Sequence, residues 1–367
     1  MKKLFLLFLA TSFFSSLLIA QTTYSWRNDQ NPVSGSWDVS NYWWNGSSAA
    51  LPAGSEILFL DGSVGTTMTN NLGATNRYRI FFGSGGASRI INGTTENTFY
   101  DYGGTKPKIE NNSSNLQTIA FPLKWGYSVC ELNPVNGNLS VTSAINNNGN
   151  WTDVYGSAGT SLTIAGGISG SGGLTIKNST TVYITSACTY TGITYVDFGT
   201  LELSADIAST SIVVASGATL RINGTAIDIQ ALTINSGGTV EVVAGKSLTI
   251  NGALTNNGTL NLKSNSTDGT ATLKVLSSVT NGGASNYNVE QYLTGSRNWY
   301  ISSPISSGTM PTAGYERDEV NAEWDAVSSG AAMSVGKGYI VQPGANTTIT
   351  FTGTVNNNEP TVALSRT

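Results

Sequence analysis

Apolar and polar positions alternate in a phrase that recurs through the second half of the chain. It reads Gly199-Thr200-Leu201-Glu202-Leu203, then Gly217-Ala218-Thr219-Leu220-Arg221-Ile222, Gly238-Thr239-Val240-Glu241-Val242 and Gly258-Thr259-Leu260-Asn261-Leu262. Apolar, polar, apolar is the period of a strand, whose successive side chains leave on opposite faces. The first apolar positions are spaced by 19, 20 and 20 residues. Self-similarity at a fixed period near twenty marks a solenoid, in which one unit cannot bury its apolar face alone and stacks on its neighbours. The pattern therefore predicts that Leu201, Leu220, Val240 and Leu260 lie over one another inside a coil. Leu203, Ile222, Val242 and Leu262 should form a second internal column.

A second short strand is expected before the glycine of each turn: Ser211-Ile212-Val213-Val214, Ala231-Leu232-Thr233-Ile234 and Ser247-Leu248-Thr249-Ile250. The phrases Ser161-Leu162-Thr163-Ile164 and Gly173-Leu174-Thr175-Ile176 carry the coil towards the N-terminus. Asn and Gly fall between strands, as in Asn235-Ser236-Gly237-Gly238, and these residues adopt the positive φ of tight corners at least cost. The 42 glycines thus read as corners rather than as disorder. The fold class predicted is all-β, a right-handed parallel β-helix with a smaller β module at its C-terminal end. Four segments follow: a signal peptide over 1–20, a Trp-rich cap and early coil over 21–150, the repetitive coil over 151–284, and a C-terminal module over 285–367.

The segment 1–20 is set apart by Lys2 and Lys3, an apolar stretch from Leu4 to Ala10 continued by Phe13, Phe14, Leu17, Leu18 and Ile19, and the small Ala20 before Gln21. That is the order of a cleavable export signal. Thr11, Ser12, Ser15 and Ser16 interrupt a stretch already short of the roughly 20 apolar residues of a membrane span. Nothing later is apolar enough to span a bilayer, so the mature chain is expected outside the cell or on its surface, with no membrane span after the signal is removed.

Tyr190-Thr191-Gly192-Ile193-Thr194-Tyr195-Val196 followed by Gly199-Thr200-Leu201-Glu202-Leu203 resembles the autotransporter-associated β-strand repeat, while the neighbouring repeats keep only the Gly-x-Leu half. The opening segment, with Ser25-Trp26, Gly35-Ser36-Trp37 and Asn41-Tyr42-Trp43-Trp44-Asn45, is similar to the start of secreted proteins that carry this repeat. In those it begins and caps the coil. Thr294-Gly295-Ser296-Arg297-Asn298-Trp299-Tyr300 and Val335-Gly336-Lys337-Gly338-Tyr339-Ile340-Val341 resemble a module of secreted Bacteroidetes proteins that precedes a sorting domain for type IX secretion. The chain stops at Thr367, just after Thr361-Val362-Ala363-Leu364, so that module is expected to be truncated.

Composition narrows the chemistry. There is no histidine, which excludes Ser-His-Asp and Cys-His catalysis and His-ligated zinc. A net charge of −4 gives no electrostatic reason to expect nucleic acid as a partner. Cys130 and Cys188 stand in no metal-ligand spacing, and a disulfide between them or two buried thiols are both open. No Asp-x-Asp-x-Asp loop or Gly-Gly-x-Gly-x-Asp nonapeptide is present, and Gly85-Gly86 and Gly166-Gly167 read as turns. Neither a metal nor a cofactor is expected.

A glycosidase needs two carboxylates about 5–10 Å apart. On successive turns the outward position reads Glu202, Arg221, Glu241, which brings two acids near that separation with a guanidinium between them. The guanidinium pairs with both acids instead of leaving one as a proton donor, and the preferred reading is a structural charge ladder. Asp101 and Glu110, and the group Glu316, Arg317, Asp318, Glu319, Glu323 and Asp325, are expected in surface loops. Trp26, Trp37, Trp43 and Trp44 are read first as a hydrophobic plug. Trp43 and Trp44 are the candidate glycan contacts, at most one of them exposed because neighbours on a strand point opposite ways. A Thr-rich ice-binding face would need a paired row of threonines; Thr233 and Thr249 are 16 residues apart, out of step with the coil. The expectation is a non-enzymatic, adhesin-like structural protein whose partners are glycans or other cell-surface components. The alternative is a carbohydrate-active enzyme or glycan-binding module on the same scaffold.

Overall fold

The computed structural model describes residues 23–26, 35–38, 43–45, 47–49, 57–60, 67–72, 76–77, 79–101, 103–283, 286–318 and 320–355. The expected signal segment lies outside the described residues. Every regular element among them is a strand. Two sheets of thirteen strands run the length of the coil, and all pairings within them are parallel except the strand at one end of each. A third face is discontinuous: a five-stranded sheet from Asn76–Arg77 to Ile168–Ser169, an isolated bridge Cys188–Ile207, then a three-stranded sheet of Ala226–Ile229, Ser247–Ile250 and Thr272–Val275. This is a parallel β-solenoid.

The register is the one the repeat predicts. Leu201 pairs with Leu220, Leu220 with Val240 and Val240 with Leu260, while Leu203, Ile222, Val242 and Leu262 make the adjacent column. All eight are buried, most of them at 0% exposure. Burying such an aliphatic side chain is worth about 1.5–3 kcal/mol, so the column is a main source of the coil's stability. One core cluster extends from Trp26 to Tyr287.

Ser247–Ile250 is not where the phrase alone puts it. The first sheet stacks Ile212–Val214, Leu232–Ile234 and Leu254–Asn256, and Ser247–Ile250 belongs to the third face beside Ala226–Ile229. The odd spacing of 16 between Thr233 and Thr249 follows, because the two lie on different faces of the coil. The step also lengthens away from the centre. Ile91 and Ile119 pair although 28 residues separate them, and Leu262 and Val289 although 27 do.

Corner chemistry agrees with composition at the positions where it matters most. Gly199 has φ +63, and a Cβ there would come within 2.2 Å of the Thr180 carbonyl oxygen, so only glycine fits. Asn148 takes φ 48 at another corner.

At the N-terminal end Trp43–Trp44 runs antiparallel to Thr23–Trp26 and closes the first sheet. At the other end Asn286–Leu293 continues the second sheet in parallel with Thr259–Leu262, so the ladder passes the expected boundary at 285. That same strand then pairs antiparallel with Thr347–Gly353 along seven residues. Beyond it lies a four-stranded antiparallel sheet, in the order Trp299–Ile301, Tyr339–Val341, Gly314–Asp318, Glu323–Val327. It has its own core of Leu293, Ile301, Ile305, Met310, Met333, Tyr339, Val341, Ile349 and Phe351.

Candidate functional site

The outward ladder places Arg221 between the two acids the sequence pointed to. Its Nη1 donates to Glu202 Oε2 at 2.7 Å and its Nε to Glu241 Oε1 at 3.1 Å. Asn223 Nδ2 donates to the other Glu202 oxygen at 2.8 Å. Burial, which alone would lower the guanidinium pKa, is outweighed by the two carboxylates, which raise it. Arg221 therefore fills the space between the acids in which a glycosidic oxygen would have to sit.

Beside this column lies a row of threonines, Thr181, Thr200, Thr219, Thr239 and Thr259, one per turn and in direct register. The Gly-Thr start of the repeated phrase carried that signal. The row is single, because the next outward column holds Glu202, Arg221, Glu241 and Asn261. Cross-strand threonine pairs are what a half-exposed parallel face favours.

A second charged patch lies on the first sheet. Glu110 is not in a loop: it belongs to the strand Lys108–Asn111, with Arg79 Nη2 at 3.0 Å and Lys108 Nζ at 2.7 Å. Burial pushes its carboxyl up, but Lys108, Arg79 and the Asn112 amide together hold it below the usual value. Lys106 Nζ reaches Glu131 at 3.7 Å and Asp153 at 3.8 Å. Burial raises the Asp153 pKa against the pull of Lys177 and Lys106. Asp153 is only 4% exposed, with Lys106 as its ion-pair partner. Trp151 and Tyr195 stack nearby, with ring centroids 5.9 Å apart.

Trp43 does not qualify as a sugar platform. It is fully buried, edge-on to Trp26 at 4.9 Å and to Trp37 at 5.5 Å, and its Nε1 donates to the Trp37 carbonyl. Each such ring removes a large apolar area from water, which is why the end of the coil takes them in. The Trp44 side chain lies outside the described residues. Cys130 and Cys188 are both buried and unpaired; burial raises both thiols, that of Cys188 to about 11. Among the described residues no group of three or more His, Cys, Asp or Glu side chains is arranged to hold a metal ion.

The aromatic surface that sequence reasoning missed is in the C-terminal sheet. The group around Glu316, expected in loops, forms the paired strands Gly314–Asp318 and Glu323–Val327, with Glu319 outside the described residues. Alternation on these strands sends Glu316 towards Lys337, whose Nζ it meets at 2.8 Å. The same alternation sends Tyr315, Arg317 and Trp324 to the other side. Arg317 lies over the Trp324 ring at 5.5 Å. Tyr300 shares that face, since it pairs with Ile340, which pairs with Tyr315. Tyr300 is 73% exposed, Tyr315 51% and Trp324 45%. A groove of about 650 Å³ runs along the face past Tyr315, Trp324, Asn298, Ser328 and Gln342. Charged neighbours, Glu316 after Tyr315 and Glu323 and Asp325 on either side of Trp324, hid this alternation in the sequence.

Comparison with protein-family models, with curated proteins and with solved structures found no match.

Proposed function

We propose that this chain is an exported, non-enzymatic scaffold of the cell surface or extracellular space, adhesin-like in presenting its C-terminal module at the end of a stiff coil. The observation that carries the reading is the unbroken parallel register from Thr23–Trp26 to Asn286–Leu293, with aliphatic columns inside and ion pairs or threonines outside. Such an assembly gains rigidity from every added turn and commits few side chains to chemistry. The Lys2-Lys3 start with its apolar stretch supports export, and the Tyr190 to Leu203 phrase, through its resemblance to autotransporter-associated repeats, supports surface display. The likeness of the Thr294 and Val335 phrases to a Bacteroidetes module supports type IX secretion as the route.

The test is incubation of the full chain with neutral and acidic polysaccharides, following new reducing ends and the absorbance of unsaturated uronates. No product is expected from any of them. Release of product that is lost on changing a carboxylate of the coil would replace this reading with the second one, a carbohydrate-active enzyme on a solenoid. Glycan contact without cleavage is favoured by one specific feature, the aromatic face of the C-terminal sheet.

A further inference from the structure

The geometry points to a binding site for an uncharged polysaccharide on the open face of the C-terminal sheet, with Tyr315 and Trp324 as stacking platforms. This deepens the scaffold reading by giving the scaffold a partner, and it rests on that reading. Three aromatic side chains between 45% and 73% exposed on one four-stranded sheet are costly to leave in water, and an exposed apolar patch of this kind marks a contact surface. The opposite face of the same sheet is already covered by its own core, through Ile301, Tyr339 and Val341, so the exposure is confined to one side. A groove of about 650 Å³ lies within the roughly 300–1,000 Å³ of ligand sites.

The lining selects among occupants. Flat rings offer the apolar faces of pyranose rings a matching surface, while Asn298, Ser328 and Gln342 at the groove supply amide and hydroxyl groups for sugar hydroxyls. No ionisable acid or base lines the groove itself. A uronate or sulfated chain would thus forfeit its solvation against an uncharged lining, since Arg317 beside the groove is already engaged by the Trp324 ring and the Ala322 carbonyl. Tyr300 and Tyr315 stand two strands apart, roughly 10 Å, a separation that suits alternate units of an extended chain rather than a single monosaccharide. Trp324, diagonal to Tyr315 across the hairpin, extends the row. Arg317 lies 5.5 Å from the centre of the Trp324 ring, a cation–π contact on the same side of the hairpin.

The experiment is native affinity electrophoresis of the full chain in gels containing hydroxyethylcellulose, mixed-linkage β-glucan, galactomannan or dextran, with alginate and chondroitin sulfate as charged counterparts. At least one neutral polymer should retard the protein. Tyr315→Ala and Trp324→Ala should each weaken binding about tenfold or more, with circular dichroism and the thermal midpoint unchanged. Tyr300→Ala, at the most exposed ring, serves if either of these fails to fold, and Arg221→Ala on the coil should bind as the parent does. Failure of every neutral polymer to retard the chain, retention of binding in the folded variants, or retardation by charged polymers alone would overturn the site. So would a concentration-dependent dimer, detected by light scattering, that the same substitutions abolish, since the face would then be covered by a second copy. Cleavage of the retarding polymer would instead sink the scaffold reading and leave the groove standing.

Discussion

The inward column that holds Leu201, Leu220, Val240 and Leu260 begins, nearer the N-terminus, with Arg89 and Gln117. Arg89 pairs with Gln117, Gln117 with Leu139, and from Leu139 onward the column is aliphatic to Leu260. The two regions solve one problem differently. In the later turns the step is about twenty residues, corners are short, and each aliphatic side chain meets its copy above and below. In the earlier turns the corners are longer and their carbonyls must be satisfied from within. Gln117 Nε2 donates to the Ala87 carbonyl at 2.8 Å and to Ser113 Oγ at 2.9 Å, and its Oε1 accepts from the Arg89 amide at 3.0 Å. Asn111 Nδ2 donates to the carbonyls of Asn115 and Asn138, and Asn115 Nδ2 to that of Gly86. A buried polar group is tolerable only when so bonded. The difference teaches that a solenoid's repeat is a property of its corners as much as of its core: where corners lengthen, the interior must change to serve them.

The comparison can be broken most sharply at the aliphatic end. Leu220→Ala should cost about 2–5 kcal/mol in chemical denaturation, whereas Thr219→Ala, one residue earlier and facing outward, should stay within about 0.5 kcal/mol. Equal effects would mean that the column is not the support of the coil. Gln117→Leu tests the other region. It places in the early column the residue the later turns use, yet it should destabilise by about 1–3 kcal/mol because the Ala87 carbonyl and the Arg89 amide lose their partner. A gain in stability would show that the polar interior there is incidental. The smallest effect belongs to the ladder. Arg221→Ala should cost about 0–1 kcal/mol at low salt and less as ionic strength rises. A larger, salt-insensitive loss would make the pair with Glu202 and Glu241 a structural support in its own right.

These regions also differ in how far they could be read in advance. The stack of Leu201, Leu220, Val240 and Leu260 was legible because the same phrase returned at a nearly constant interval, and interval alone sets register in a coil. The face to which a strand belongs was not legible from its letters. Ser161–Ile164 and Ser247–Ile250 are the same tetrapeptide, yet one lies on the second sheet and the other on the third. Any inward position accepts Leu or Ile, so only the spacing of 16 could have told them apart. The crowding of tryptophans near Trp43 points to a plug, whereas a glycan contact at Trp43 is incompatible with its zero exposure. Arg89 and Gln117 gave no warning, and for Gln117 the reason is plain: an amide inside a coil is justified only by the backbone groups that fold back to meet it. The aromatic face at Tyr315 and Trp324 stayed hidden because Glu316, Arg317, Asp318 and Asp325 made the hairpin look like solvated loop.

The register of the central turns bears on how such a molecule can change size. Leu220 touches Leu201 on one side and Val240 on the other, and the strand offering it is one of four near-identical neighbours. Removing one complete turn would set Leu201 against Val240, a pairing of the same kind, and duplicating one would insert a further aliphatic rung. Neither event would disturb the tryptophans at one extremity or the antiparallel sheet at the other. The length of the coil is therefore a heritable quantity that recombination between like turns can raise or lower in whole steps.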